Sequence, residues 1–295
     1  MHQNPFYGHH IKSIILFTLV VFTGFLSPAI QAQDNTLLWK IEGEKIKTSY
    51  LFGTVHILPQ KDFKLKEKVK EAFNNCEQLV MELDMDDPRL QAEMMKGASM
   101  KNGQTIDKLL TQEHYAIVDK EIKSLMGIGL ANLNTMKPFM ISSMLLPKFL
   151  GSQPASFELT LTQMATERKM NIIGLEIVAE QMKVFDDIPY ESQAEDLVEM
   201  VTEPEKMRAE FDALIELYKS EQMDKINTMT KEYFDDPNEF LIMIDQRNEN
   251  WIPIIADLSK DKSNFIGVGA GHLGGENGLV VLLRSAGFKV TPIRE

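Results

Sequence analysis

Apolar residues along this chain fall into two rhythms, short continuous runs and helical stripes, and the two alternate. Leu37 to Ile41 and Thr48 to Val55 are β-rich runs around Gly43, a predicted hairpin ending at Gly53-Thr54-Val55-His56. Beyond Pro59, Asp62 is placed to cap a helix whose Leu65, Val69, Phe73 and Cys76 recur at helical spacing. Gln78 to Asp84 is an apolar run closing on acids. Strand, helix, strand is the unit of an α/β sheet. The middle reads as helical over Ile106 to Leu125 and Leu159 to Lys169, followed by a strand over Asn171 to Glu176. Met207, Phe211, Leu214, Ile215 and Tyr218 form a stripe on an acidic segment, which predicts a helical cap over roughly 190–235. Phe240, Ile244, Arg247 and Trp251 lie on another helix, which Pro253 should bend or restart. Asn264 to Gly269 is a buried strand, Gly269-Ala-Gly-His272 a turn, Gly278 to Ala286 a helix and Lys289 to Ile293 a last strand. The two ends echo each other: strand, Gly-x-x-His, helix, strand. The expected fold is α/β, a central mixed sheet flanked by helices, in two related halves with a helical cap insertion.

Composition narrows the setting. Ile14 to Leu26 is an uncharged apolar run behind Lys12, and Ile30-Gln31-Ala32 offers a small residue for cleavage. The run is short for a membrane span, which needs about 20 apolar residues, so residues 1–32 read as a signal peptide and 33–295 as the mature domain. The expected location is periplasmic or secreted, with no stable membrane span after cleavage. The chain is acidic, with a net charge of −12, and has no Lys/Arg run, so it repels phosphate backbones and nucleic-acid binding is not expected. Cys76 is the only cysteine, so no intramolecular disulfide forms, and it reads as a buried structural thiol.

The chemistry lies in the two histidine turns. His56 and His272 each follow a strand directly, and open α/β sheets bind ligands at the carboxyl ends of their strands. Glycine there permits a tight turn and close approach to a ligand. Two imidazoles so delivered can share one divalent ion with a carboxylate, and Glu82 and Asp84 end the next strand, with Glu176 closing another. Such an ion brings the pKa of bound water towards neutrality. A second carboxylate could serve as general base, and Arg247 could hold an oxyanion or a substrate carboxylate. Each feature also has a structural reading: Glu82 as a cap or ion-pair partner, Arg247 and Asn248 as a salt bridge and a surface amide, His114 as a solvated residue. No Gly-x-Ser-x-Gly elbow and no P-loop is present.

Five stretches together resemble one family. Tyr50 to Pro59 (Tyr-Leu-Phe-Gly-Thr-Val-His-Ile-Leu-Pro), Leu79 to Asp84, Ile173 to Gln181, Asp245 to Trp251, and Val268 to Leu279 running on to Pro292 resemble the signatures of the TraB/GumN family, in order and over nearly the whole mature chain. The resemblance implies a fold of the kind shared with erythromycin-esterase and ChaN-like proteins. It also implies a metalloprotease-like site acting on a peptide or protein, with manganese or cobalt favoured and zinc as an alternative. Carried over by position, His56, His272 and Glu82 would be the metal ligands, with Arg247 and Asn248 a supporting polar pair. Many relatives carry Gly-x-Asp where this chain has Ser156-Phe157-Glu158, so the resemblance assigns Glu158 no role. Two other readings stand beside the peptidase: a non-catalytic binding protein for haem, a metal or a peptide signal, and a hydrolase of non-peptide esters.

Overall fold

The apolar runs become the strands of one six-stranded mixed sheet. The computed structural model describes residues 35–149 and 154–294, all within the unit Asp34–Glu295. The signal-peptide reading of residues 1–32 lies outside the described residues. Strands β1 (Leu38–Glu42) and β2 (Ser49–Thr54) form the expected hairpin. A two-residue strand β3 (Leu58–Pro59) pairs with β5 (Pro154–Ala155) in a small second sheet. The main sheet is completed by β4 (Gln78–Met81), β6 (Asn171–Gly174), β7 (Asn264–Gly269) and β8 (Lys289–Pro292), in the order β6-β4-β7-β2-β1-β8. The four strands β6, β4, β7 and β2 run parallel to one another, while β1 lies antiparallel to both β2 and β8. Both central strands of the parallel part, β4 and β7, are buried on both faces, which is why each reads as an unbroken apolar run.

Helices surround this sheet. They are α1 (Glu67–Asn74), α2 (Leu90–Gly97), α3 (Ile106–Leu109), α4 (Gln112–Met126) and α5 (Pro138–Phe149) before the mid-chain strand. Then come α6 (Phe157–Glu167), α7 (Val178–Asp187), α8 (Tyr190–Thr202), α9 (Pro204–Lys219) and α10 (Met223–Tyr233). The last are α11 (Pro237–Phe240), α12 (Gln246–Asp261) and α13 (Leu279–Ser285). Ile215 and Tyr218 of α9 and Met223 and Ile226 of α10 join the core built on the sheet, and the Tyr218 hydroxyl donates to the Gly53 carbonyl at 3.0 Å. A separate core joins α3, α4, α5 and α8. Beside it the buried Lys137 ammonium is matched by Asp186 at 3.0 Å, so a fully enclosed charge is paired.

Three local expectations are corrected. The helix read over 106–125 is two helices: Leu110 is extended, and the Thr111 hydroxyl accepts the His114 N–H to cap α4 afresh. The first helix begins at Glu67 rather than after Asp62, whose N–H closes a turn on Pro59. Pro253 does not restart the helix, since α12 runs on through it: it and Glu249, four residues before it, lie on the exposed face where water can satisfy the freed carbonyl. The echo between the ends is also incomplete. After β2 and α1 the chain returns as β4, parallel to β7, but after β7 and α13 it returns as β8 on the far edge, antiparallel to β1.

Candidate active site at the carboxyl end of the parallel strands

Because β2, β7, β4 and β6 are parallel, their carboxyl ends open on one side, and each is followed by one of the residues singled out in the sequence. His56 lies two residues past β2, His272 three past β7, Glu82 one past β4 and Glu176 two past β6. Register sets the closeness, since Thr54 pairs with Gly269 and Met81 with Gly267. Gly269 marks the meeting point. A β-carbon added there would lie 3.4 Å from Glu82 Oε1, 3.6 Å from His272 Cδ2 and 3.7 Å from His56 Nε2. The Gly269 N–H itself donates to Glu82 Oε1 at 2.8 Å.

The His56 side chain is 69% exposed, so water reaches the ring. Its Nδ1 lies 2.9 Å from Glu158 Oε1, which leaves Nε2 facing the meeting point. Burial lowers its proton affinity, but the Glu158 hydrogen bond and the Glu82 and Glu158 charges outweigh this and push its pKa up to about 9. Glu158 is held in turn by Thr54 Oγ1 at 2.7 Å and by Ser156 Oγ at 2.8 Å.

His272 is the opposite case. It is buried, with Nδ1 2.7 Å from Asn248 Oδ1, and its ring packs at a tilt of 43° against Trp251, 4.7 Å between centroids. Burial and the nearby Arg247 charge push its pKa down to about 3, so it is neutral at working pH. Nδ1 therefore carries the proton given to Asn248, and the Nε2 lone pair faces Arg247 Nη1 at 3.2 Å. The Asn248 amide donates to the carbonyls of His272 and Asn277. Asn248 is thus saturated and holds the His272 turn without reaching the cleft.

Arg247 ties the carboxylates together. Its Nη2 donates to Glu82 Oε2 at 2.6 Å and to Glu176 Oε1 at 2.7 Å. Nε reaches Glu176 Oε2, and Nη1 reaches the Met243 carbonyl. All five guanidinium N–H groups are engaged, so in this arrangement Arg247 positions its neighbours and has no donor free for a substrate. Burial would raise Glu82, but the charges of Arg247 and His56 and the Gly269 N–H hold its carboxyl well below the usual range. A π-helical turn, Leu241–Asp245, precedes α12 and widens the helix where Met243 meets Arg247. Asp84 stands apart, against Asp86, and burial with that like charge pushes its pKa up to about 6. His114 is exposed on α4.

Sequence reasoning singled out six of these residues and passed over two features. One is the role of Glu158, which stands in the first turn of a Ser156-capped helix where the resemblance, with its Gly-x-Asp replaced, gave it none. The other is the π-helical turn, which the apolar spacing conceals.

In kind, the donors suit a divalent ion: two imidazoles and a carboxylate converge, and His56 has the carboxylate behind it that metal-bound histidines carry. In arrangement, Arg247 holds both His272 Nε2 and Glu82 Oε2, and among the described residues no group of three or more His, Cys, Asp or Glu is set to hold an ion. His56 Nε2 is turned to the meeting point as it stands, while Glu82 and His272 would join it as ligands once Arg247 releases them.

Comparison with known proteins gives a family and two distant relatives. The model of the TraB/PrgY/gumN family matches residues 37–292. A metalloprotease TIKI2 from Xenopus tropicalis is 22% identical over 320 aligned positions, covering 89% of this chain and 61% of that protein. A metalloprotease TIKI2 from Danio rerio is 30% identical over 91 residues, 30% of this chain and 17% of that protein. The chain therefore spans less than two thirds of the curated relatives it matches. No solved structure gave a significant match. Among the described residues, no helix is long and apolar enough to cross a membrane.

Proposed function

The chain belongs to the TraB/PrgY/gumN family, and from that premise we propose that it is an exported, metal-dependent hydrolase of peptide bonds centred on His56, Glu82 and His272. The observation that carries the reading is the approach of Glu82 Oε1, His56 Nε2 and the His272 ring to one point, 3.4–3.7 Å from the place of a Gly269 β-carbon. The likeness to proteins named metalloproteases supports the reaction class.

The electrostatics support a bound cation. The same two carboxylates, Glu82 and Glu158, that hold a proton on His56 would favour a divalent ion in its place. The chemistry such an ion supplies is a bound water with its pKa lowered towards neutrality. His56 would hold it, joined by Glu82 and His272 when Arg247 yields. The chain's own residues do the rest. Glu158 accepts the Nδ1 proton of His56 and fixes its tautomer, so that Nε2 is the donor atom. Asn248 does the same for His272. Glu82 would orient the attacking water, and Glu176, whose pKa burial raises, would be the carboxylate that takes its proton while keeping Arg247 oriented. Manganese or cobalt is favoured, with zinc as the alternative.

A second reading has its own observation. Because Arg247 bonds both Glu82 and His272 Nε2, the site is also a self-contained acid–base cluster with His56 as its proton donor, suited to metal-free hydrolysis. One experiment separates the two. Metal content is measured on the purified protein and on His56→Ala and Glu82→Gln, alongside cleavage of a peptide library before and after chelation. The peptidase reading expects about one ion per chain, lost in both variants, with activity lost on chelation. Equal metal content in all three proteins sinks the ligand assignment, and activity indifferent to chelation selects the metal-free mechanism.

A further inference from the structure

Arg247 brings a permanent cation to the convergence of His56, Glu82 and His272, and it holds two of the atoms through which these residues would take up an ion. Its Nη2 lies 2.6 Å from Glu82 Oε2 and its Nη1 3.2 Å from His272 Nε2. A divalent ion binds nitrogen and carboxylate oxygen at about 2.0–2.2 Å, along the lone pairs that here accept N–H groups. A neutral imidazole has one such lone pair, so guanidinium and ion cannot share His272 Nε2. His56 is held differently: Glu158 takes its Nδ1 at 2.9 Å and leaves Nε2 facing Gly269. The guanidinium is itself firmly placed. Arg247 is 7% exposed and lies over the Trp251 ring, 4.8 Å from the centroid, and the same ring packs against His272. Of its five hydrogen bonds, two, to Glu82 and His272, stand in the way of an ion. The other three, two to Glu176 and one to the Met243 carbonyl, would remain as an anchor. Two carboxylates meeting at one buried nitrogen need a counter-charge. The guanidinium supplies it, and a divalent ion would supply it in turn.

We propose that Arg247 is an internal competitor of the metal: a guanidinium latch that holds Glu82 and His272 until a divalent ion displaces it, and so sets how much free ion loads the centre. The inference rests on the metal-dependent reading of the site and adds a threshold to it. The apparent affinity for an ion falls by the fraction of molecules in which the latch is open. The same contacts keep the ion-free centre folded, because they neutralise Glu82 and Glu176. Removing the latch should therefore weaken the fold and tighten the ion at once.

The test reads binding, so it does not depend on turnover. The purified protein is titrated with Mn2+, and the free ion is followed by its EPR signal. The native protein is compared with Arg247→Met and Arg247→Lys. Arg247→Lys keeps a counter-charge for the two carboxylates, but its single nitrogen does not reproduce the guanidinium fork. Arg247→Met decides where it folds, and Arg247→Lys where it does not. The deciding variant is expected to bind Mn2+ at least about tenfold tighter than the native protein, the factor that a latch closed in about nine molecules of ten imposes. Adding His56→Ala should abolish the gain. Mn2+ should also raise the melting temperature of the variant more than that of the native protein. A purely structural arginine would lose stability and ion affinity together. Lys183→Met, which removes an exposed charge of α7, should leave the affinity within about twofold, as a screened surface charge does. Affinity equal to or weaker than native in the deciding variant overturns the latch and leaves the metal reading in place. An equal gain in Lys183→Met also overturns it, since that marks a diffuse field. Binding in the variant with none in the native protein would leave the latch standing and defeat the metal-dependent function. Binding in neither defeats both.

Discussion

At the residue scale, the site is two histidines made opposite by their surroundings. His56 is drawn towards the imidazolium by Glu158 and Glu82, while His272 is kept neutral by burial and Arg247. Glu158→Gln removes the charge that stabilises the His56 proton. Its pKa should therefore fall from about 9 towards the ordinary value near 6.5, read from the pH dependence of its ring signals by NMR. Activity should drop by about 10- to 100-fold, as for other second partners of a functional histidine. A His56 titration that does not move would show that Glu158 does not set its state. Arg247→Met is the harsher change. Glu82 and Glu176 would be left buried without their shared counter-ion, and the loss should be about 3–5 kcal/mol in denaturant unfolding. A loss under about 1 kcal/mol would mean that the carboxylates find water or each other's proton instead.

At the element scale, the two Gly-x-x-His turns look alike in sequence and differ in what their first glycine does. At Gly53 a β-carbon would sit 2.4 Å from Leu273 Cδ1 and 3.1 Å from the Ala270 backbone, so this glycine lets β2 pack against the turn after β7. Gly53→Ala should cost about 1–3 kcal/mol of stability by overpacking. At Gly269 the added carbon meets only ordinary contacts, at 3.4–3.7 Å, and the backbone φ of −53° suits any residue. Gly269→Ala should leave the melting temperature within a few degrees while filling the point where His56, Glu82 and His272 converge. Metal content and peptide cleavage measured beside thermal unfolding check the contrast, and a fully active Gly269→Ala would move the reaction elsewhere. The motif was legible in the sequence, but the distinction was not, because it depends on which side chain packs over each turn.

At the scale of the whole molecule, unevenly compensated acids shape stability against pH. Asp84 and Asp196 are raised to about 6 from a usual 3.8 by burial and neighbouring carboxylates, so between those values the folded protein binds protons that the unfolded chain does not. Stability from these two groups therefore grows as pH falls from about 7 towards 4. Glu82, Glu158 and Asp186 are lowered by their cationic partners, and their contribution is lost only further down, as pH falls through their depressed values. His272, lowered from 6.5 to about 3, works against this below pH 6.5, while His56, raised to about 9, adds stability as pH falls from 9 to 6.5, so the melting temperature should be higher near pH 6 than at pH 8. Calorimetric scans from pH 4.5 to 8 measure it, and Asp196→Asn should flatten the rise. A melting temperature no higher near pH 6 than at pH 8 would contradict the assignment of these groups.

The sequence by itself determined the strands, their likeness in kind and the residues at their ends, because apolar runs and strand-terminal glycines are local facts. It therefore specified an α/β sheet and named His56, Glu82, Glu176, Arg247, Asn248 and His272. Only the tertiary structure decided which of these meet. The parallel register of β2 against β7 and of β7 against β4 brings His56, His272 and Glu82 to Gly269. Arg247 and Asn248 are held behind them as support. Glu158 became part of the site for the same reason. Nothing in its neighbours in the chain points at His56, 102 residues away, until α6 is laid with its first turn against the end of β2. Pairing across such separations is set by packing, which no local pattern encodes.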